Sequence, residues 1–265
     1  MLYNPALIGA ASASYVFQDS DAENYHNRLI LAGETIVAGQ PALIDTLFQT
    51  IKTGSNMPTE QFLLFVGVDT VAGAMTPAMQ SMATPTNNGF TNADVNRLTG
   101  LAASGSQYVD SGTLVGDAPL NDVSTGVYLR TVTGYSTGAQ ALFGGGLGNV
   151  GTLSVLTNNN VAVPRVQSST FAQINITLAA DTAIGVTRIN KNYYDYFFSS
   201  TTGTQNNTSN GLVNAKMLFF ARADTNGTAT SLSTATIAAA WHSEALNIAS
   251  LDSAIKAYID GLALL

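Results

Sequence analysis

The chain has 265 residues, of which 46% are hydrophobic and only 10% charged, with 17 acidic against 10 basic side chains and a formal net charge of -7. An ordinary soluble domain carries about 25% charged residues, so Ser, Thr, Asn and Gly must supply most of the polar surface here. Ten dispersed basic residues argue against a nucleic-acid partner, which needs Lys and Arg gathered on one face. The absence of cysteine excludes disulfides and thiolate metal sites, and no run approaches the ~20 apolar residues that span a bilayer.

Residues 1–18 are expected to form a docking arm. Leu2, Tyr3, Leu7, Ile8, Tyr15, Val16 and Phe17 are apolar but hold no sustained period. Such an arm must find cover on another subunit or on its own domain. Met1 is followed by no basic region, and Asn4, Pro5 and Gly9 break the apolar run, so no signal peptide is expected.

Residues 19–88 are expected to be a helical N-terminal region and linker. Asp19, Ser20 or Asp21 can cap a helix beginning near Ala22, with Tyr25, Leu29, Ala32 and Ile36 recurring at helical intervals and Gly39 ending it. Pro41 suits the first turn of a second helix, on which Leu43, Leu47 and Ile51 form one edge and Ile44 and Phe48 the other, before Gly54. Phe62 to Val68 is a short apolar run, read as a buried strand or the end of a helical turn. Met75 to Asn88, with Pro77, Pro85 and paired Asn, is expected to be a connecting loop.

Residues 89–265 are expected to be a β-sandwich domain, because after Asn96 the period changes to two, as in half-buried strands. Val127, Leu129 and Thr131 alternate with Tyr128, Arg130 and Val132. Ala172, Ile174, Ile176 and Leu178 alternate with Phe171, Gln173, Asn175 and Thr177, which gives a clean inside and outside. Further strands are expected at Gln140–Phe143, Gly151–Leu156, Ile184–Ile189, Tyr193–Ser199, Lys216–Arg222 and Thr236–Trp241. Many short strands at this spacing mean a sandwich or a barrel. Ser250 can cap a final helix with Leu251, Ile255, Tyr258, Ile259 and Leu262 on one stripe, packed across the end or edge of the strands.

The stretch from Asn96 to Gly112 resembles the opening strand of the concanavalin A-like, laminin-G-like sandwich of bacteriophage structural proteins. Gly100, Gly105, Ser106, Tyr108, Asp110 and Gly112 fall where that pattern puts them, although Ala103 and Ser104 replace its more usual Gly-Asp pair. Asp21–Ile30 followed by Gln40–Lys52 is similar to the helical preface of these proteins. Met217–Thr228 resembles their "F-A-R" strand and turn, and Ala249–Ile259 their closing helix, all in the family's order.

The resemblance implies a mainly β protein, an antiparallel concanavalin A-like jelly roll preceded by a small helical region and closed by a C-terminal helix. It also implies a virion structural protein without enzymatic activity, assembled in the bacterial cytoplasm and then extracellular. A capsid decoration protein or an accessory tail component fits the size. Its partners would be other virion proteins, in a homo-oligomer with a trimer favoured, and neither nucleic acid nor membrane. Fold alone does not fix function.

Chemistry is sparse in the sequence. Sandwich glycosidases need paired carboxylates, supplied in related glucanases by a Glu-x-Asp-x-Glu strand, but Glu23, Glu34, Glu60 and Glu244 are the only glutamates and none lies in that pattern. No G-x-S-x-G elbow occurs; His26 is expected on a polar helix face and His242 at a strand end beside Trp241. Gly144-Gly-Gly-Leu-Gly-Asn lacks the Lys-Ser/Thr ending of a phosphate loop and reads as a hairpin or loop tip.

Calcium, which laminin-G-like domains can hold, would recruit Asp110, Asp117 or Asp122, yet no loop of regularly spaced carboxylates supports it. No metal and no cofactor is expected. Tyr193-Tyr-Asp-Tyr-Phe-Phe is the best recognition candidate, since rings beside an Asp can stack on a sugar, although alternate rings entering the core is the simpler reading. The alternative function is therefore a tail-fibre or receptor-binding module that holds host surface glycans through Tyr193, Tyr194, Tyr196 and Trp241.

Overall fold

The computed structural model describes residues 15–54, 57–131, 140–146, 153–158, 161–170, 174–224 and 226–265. Among them are four α-helices: α1 (Ser20–Leu31), α2 (Gln40–Gly54), α3 (Val71–Ala74) and α4 (Ile248–Leu262). The strands before residue 150 are β1 (Gln61–Leu64), β2 (Thr86–Asn88), β3 (Val95–Asn96), β4 (Gly100–Ala102), β5 (Tyr108–Leu114), β6 (Val123–Thr131) and β7 (Gln140–Gly145). After it come β8 (Leu153–Asn158), β9 (Val161–Val166), β10 (Ile174–Thr177), β11 (Thr182–Arg188), β12 (Tyr193–Phe198), β13 (Thr201–Asn206), β14 (Lys216–Phe219), β15 (Arg222–Ala223), β16 (Ala229–Thr230) and β17 (Thr236–Ser243).

The helices form where the sequence supplies both a cap and an apolar stripe. Asp19 caps α1, its Oδ1 accepting from the backbone N–H of Asp21 (2.9 Å) and Ala22 (3.1 Å). The expected run to Gly39 does not occur: α1 stops at Leu31, and Gly33 takes a left-handed φ of +87°. Glu34 then turns inward, its carboxylate accepting from Asp69 N and Thr70 N. In α2 the buried residues include Ile44, Leu47, Phe48 and Ile51, as the spacing predicts. Asn247, not Ser250, caps α4, accepting from Ser250 N, and the whole expected stripe from Leu251 to Leu262 is buried.

Two antiparallel sheets make a sandwich. The front sheet runs β13-β12-β11-β6-β17-β4-β3, with β1 pairing beside β4 along β17. The back sheet runs β10-β9-β8-β7-β14-β5-β2, and β15 and β16 form a separate pair. The chain passes repeatedly from one sheet to the other, so each strand's inward side chains meet the opposite sheet. Val127, Leu129, Ile184, Val186, Phe143, Val155 and Phe219 are among those fully buried.

The segment expected as a helical preface contributes to the sandwich itself. Gln61–Leu64 is a strand buried on both sides, with Phe62 opposite Trp241 and Leu63 opposite Ala240. Thr86–Asn88, within the expected loop, pairs with β5. Asn96–Gly112, expected as one opening strand, is divided among β3, β4 and most of β5, which lie in two different sheets.

One row across the front sheet sets its outer surface. Trp241 faces Gly126 on β6, which faces Gly185 on β11, which faces Phe197 on β12. A Cβ on Gly126 would lie 2.3 Å from Trp241 Cζ2, and one on Gly185 only 2.9 Å from the same atom, so the indole lies over both glycines. Ile248 at the start of α4 closes on Gly185, and α4 in turn packs on α2, where Leu43 meets Gly261.

Candidate functional site

The alternation of β12 separates the predicted recognition residues. Tyr194 and Phe198 turn into the core and are completely buried, and Tyr196 lies over Gly203 and stacks on Phe198 with ring centroids 5.2 Å apart. Trp241 is also completely buried, its Nε1 donating to Ser124 Oγ (3.2 Å). Tyr194 and Trp241 therefore cannot touch a glycan or a partner, because the strand phase and the helical cover remove them from the surface. Tyr193 and Tyr196 remain half-buried.

Beneath β12, Arg188 is buried without a carboxylate. Its Nη1 donates to the carbonyls of Asn190 (3.0 Å) and Lys191 (3.1 Å), its Nη2 to Asn207 Oδ1 (3.2 Å), and its guanidinium sits 5.5 Å from the Tyr194 ring centroid. Burial pushes Arg188 down to about 10, partly offset by Tyr194, and pushes the Tyr194 hydroxyl well up. This cluster locks the β11–β12 turn and presents no chemistry to solvent.

Outside β12 lies a groove of about 410 Å³, bounded by the β12–β13 hairpin and the start of α4. Asp195, Phe197, Thr202 and Thr204 come from the hairpin, Thr187 from β11, and Leu246, Asn247, Ile248 and Ala249 from the entry to α4. Asp195 faces Thr204 across the strands, and Thr204 Oγ1 donates to Asp195 Oδ1 at 2.6 Å. Thr187 Oγ1 donates to the Leu246 carbonyl at 3.1 Å, tying the loop before α4 to the sheet. Four separate pieces of chain build this groove, so of its residues only the β12 aromatics and Asp195 stood out in sequence.

The other candidates are placed as follows. Asp110 pairs with Lys216 Nζ at 2.6 Å, Asp117 accepts from Leu114 N, and Asp122 accepts from Ala245 N, so the three act in separate structural bonds. No group of three or more His, Asp or Glu suited to a metal occurs among the described residues. Glu60 is raised by burial, with Asp117 and Glu244 adding to the shift; this meeting of acids comes from three distant stretches and no spacing announced it.

His26, expected on a polar face, is half-buried against Phe17 with centroids 5.2 Å apart, and burial lowers its pKa. Of the arm, Leu2, Tyr3, Leu7 and Ile8 lie outside the described residues. Tyr15 donates to Asp45 Oδ2 (2.8 Å), and Phe17 packs against the core of its own chain. Gly144 and Gly145 belong to β7 rather than to a loop tip.

No family model matches the chain, and no curated protein sequence matches it. Solved structures do. The mouse laminin alpha1 chain, domains LG4-5, is 11% identical with a TM-score of 0.33, over 46% of this chain and 33% of that one. The botulinum neurotoxin serotype D binding domain is 10% identical with a TM-score of 0.45, over 77% and 52%. The Trypanosoma rangeli sialidase in complex with sialic acid is 10% identical with a TM-score of 0.40, over 83% and 39%. The chain thus spans between a third and about half of the length of these structures. At such identities no activity or ligand passes from them to this chain, and the sandwich rests on its own strand order.

Proposed function

We propose that this protein is a non-enzymatic structural component of a bacteriophage virion, a capsid decoration or accessory tail subunit that stabilises the particle through subunit contacts. The observation that carries the reading is a band of exposed apolar side chains at the helical end. Val16 is 73% exposed, Ile30 50%, Leu31 86%, Leu264 88% and Leu265 55%. Two grooves run beside them, one lined by Phe17, Ile30, Ile36 and Val37, the other by Val37, Leu98, Leu262 and Leu265, so they meet at Val37.

Exposed apolar side chains gathered beside such grooves mark an interaction site. With only 10% of residues charged, little electrostatic repulsion opposes its burial against another subunit. The resemblance of the stretches around Asn96–Gly112, Met217–Thr228 and Ala249–Ile259 supplies the viral setting. In this arrangement the helical end anchors, the sandwich faces outward, and the protein is a homo-oligomer with a trimer favoured.

Mass-spectrometric copy counting on purified particles tests the reading. Hundreds of copies per particle identify capsid decoration and a dozen or so a tail component, whereas absence from the particle overturns it. Light scattering of the isolated protein tests the trimer. A second reading, a module that binds host surface glycans, is favoured by the groove beside β12 and β13.

A further inference from the structure

We propose that the groove between the β12–β13 hairpin and the start of α4 is a binding site for a neutral saccharide. The inference rests on the second reading above and gives it a location and a ligand class. The lining combines two kinds of surface. Phe197, Leu246 and Ile248, each 6–7% exposed, make a dry floor on which the C–H face of a sugar ring can lie. Asp195, Thr187, Thr204 and Asn247 converge on that floor from β12, β11, β13 and the α4 cap.

Their bonds leave both acceptors and donors for hydroxyl groups. Thr204 occupies Asp195 Oδ1, and Oδ2 accepts nothing from the described residues. Asn247 uses its Oδ1 to cap Ser250 N, which leaves its amide N–H₂ as a donor. A carboxylate accepting from one hydroxyl while an amide donates to the next is the pairing that vicinal diols satisfy.

Charge narrows the class. No Lys, Arg or His lines the groove, and its one ionised group is a carboxylate. An acidic sugar or a phosphate would bring a second negative charge against Asp195 with no cation to balance it. The volume of about 410 Å³ falls within the ~300–1,000 Å³ of small-ligand pockets. Of the four candidates suggested by the sequence, Tyr196 lines the groove, whereas Tyr194 and Trp241 are completely buried and take no part.

The full chain is probed on an array of neutral and sialylated oligosaccharides, and its hits are titrated by calorimetry against the wild type, Asp195→Asn and Thr204→Val. Glu244→Gln, outside the groove, is the control. Thr204 is exposed on a strand with one neighbour, so Thr204→Val keeps the test open should Asp195→Asn misfold. The expected result is saturable binding of neutral glycans, weakened at least tenfold by either groove variant and unchanged by Glu244→Gln. Binding that survives both groove variants overturns the location alone. Preference for sialylated glycans overturns the ligand class. No binding to any glycan overturns the glycan reading as a whole.

Discussion

Acidification from pH 7 to pH 4 should destabilise the fold by about 3 kcal/mol through His242 alone. The ring is completely buried between the sheets, with Thr125 Oγ1 2.7 Å from Nδ1 and the Leu114 carbonyl oxygen 3.2 Å from Nε2. A carbonyl only accepts, so Nε2 carries the proton and Nδ1 accepts from the Thr125 hydroxyl; the neutral ring is satisfied on both sides. Burial pushes its pKa down to about 4, and the Leu114 bond and the Asp117 charge offset that only in part.

In the unfolded chain the same ring titrates near ~6.5. Between these values the unfolded state binds a proton that the native state refuses. The contribution is complete above the unfolded pKa, declines as the pH falls through about 6.5, and levels off below about 4. Denaturant titrations followed by the fluorescence of Trp241, the single tryptophan, measure it in the wild type and in His242→Gln. The variant should be less stable at pH 7 but should lose about 3 kcal/mol less on acidification, since the carboxylates common to both cancel. Parallel pH profiles, or a native His242 resonance that titrates near ~6.5, would refute the reasoning.

Gly126→Ala should cost about 1–3 kcal/mol by overpacking, because its Cβ would lie 2.3 Å from Trp241 Cζ2 and 2.7 Å from the Ile184 carbonyl oxygen. Thermal denaturation reads this directly, and a red-shifted Trp241 emission in the native variant would show the indole displaced. Asp45→Ala should cost about 2–4 kcal/mol, since the buried carboxylate accepts from Tyr15 Oη, Gln18 N and Asp19 N. Faster proteolysis around Tyr15–Asp19 should accompany it, and unchanged cleavage would count against the anchoring role. Leu31→Ser and Leu264→Ser, at 86% and 88% exposure, should change stability by less than about 0.5 kcal/mol while reducing self-association in light scattering and incorporation into particles.

The parts of the fold legible in sequence are those where one face is buried and the other wet. Both α2 and α4 were readable from their stripes, and β10 from the alternation of Ile174 and Ile176 with Asn175 and Thr177. Strand β13 was missed because Thr201–Asn206 is polar throughout: it is an edge strand with neither face well buried, so no alternation is written into it. Strand β9 was hidden by Pro164, which lacks the N–H a ladder needs and so argues against a strand in sequence, although Pro164 pairs with Val155 of β8. The phase of β12 was illegible for the opposite reason. Aromatic residues occupy both phases of Tyr193–Phe198, so only the tertiary setting decides that Tyr194, Tyr196 and Phe198 turn inward. The helix α1 overran in the reading because Ile36 continues its period past Gly33, and the inward turn of Glu34 depends on Asp69 and Thr70, more than thirty residues away.

The row from Trp241 to Phe197 also explains why the candidate groove and the apolar end can act together. Two glycines let the indole lie flat, which lets Ile248 and the first turn of α4 settle on Gly185; a side chain there would lift the helix off the sheet. The first turn of α4 thereby covers the outer face at Gly185, the β12–β13 hairpin lies beside it, and the concavity forms at the boundary. The groove takes Leu246–Ala249 at the start of α4, while the apolar band takes Leu262–Leu265 at its end. The helical stretch Ser250–Gly261 separates them, roughly 20 Å from Ala249 to Leu262 at 1.5 Å per residue. A subunit anchored through Leu264 and Leu265 therefore keeps Asp195 and Thr204 open to solvent, so saccharide binding should persist in the particle-bound protein at the affinity of the free chain. Loss of binding on assembly would mean that the two ends are not independent and that the helix does not hold them apart.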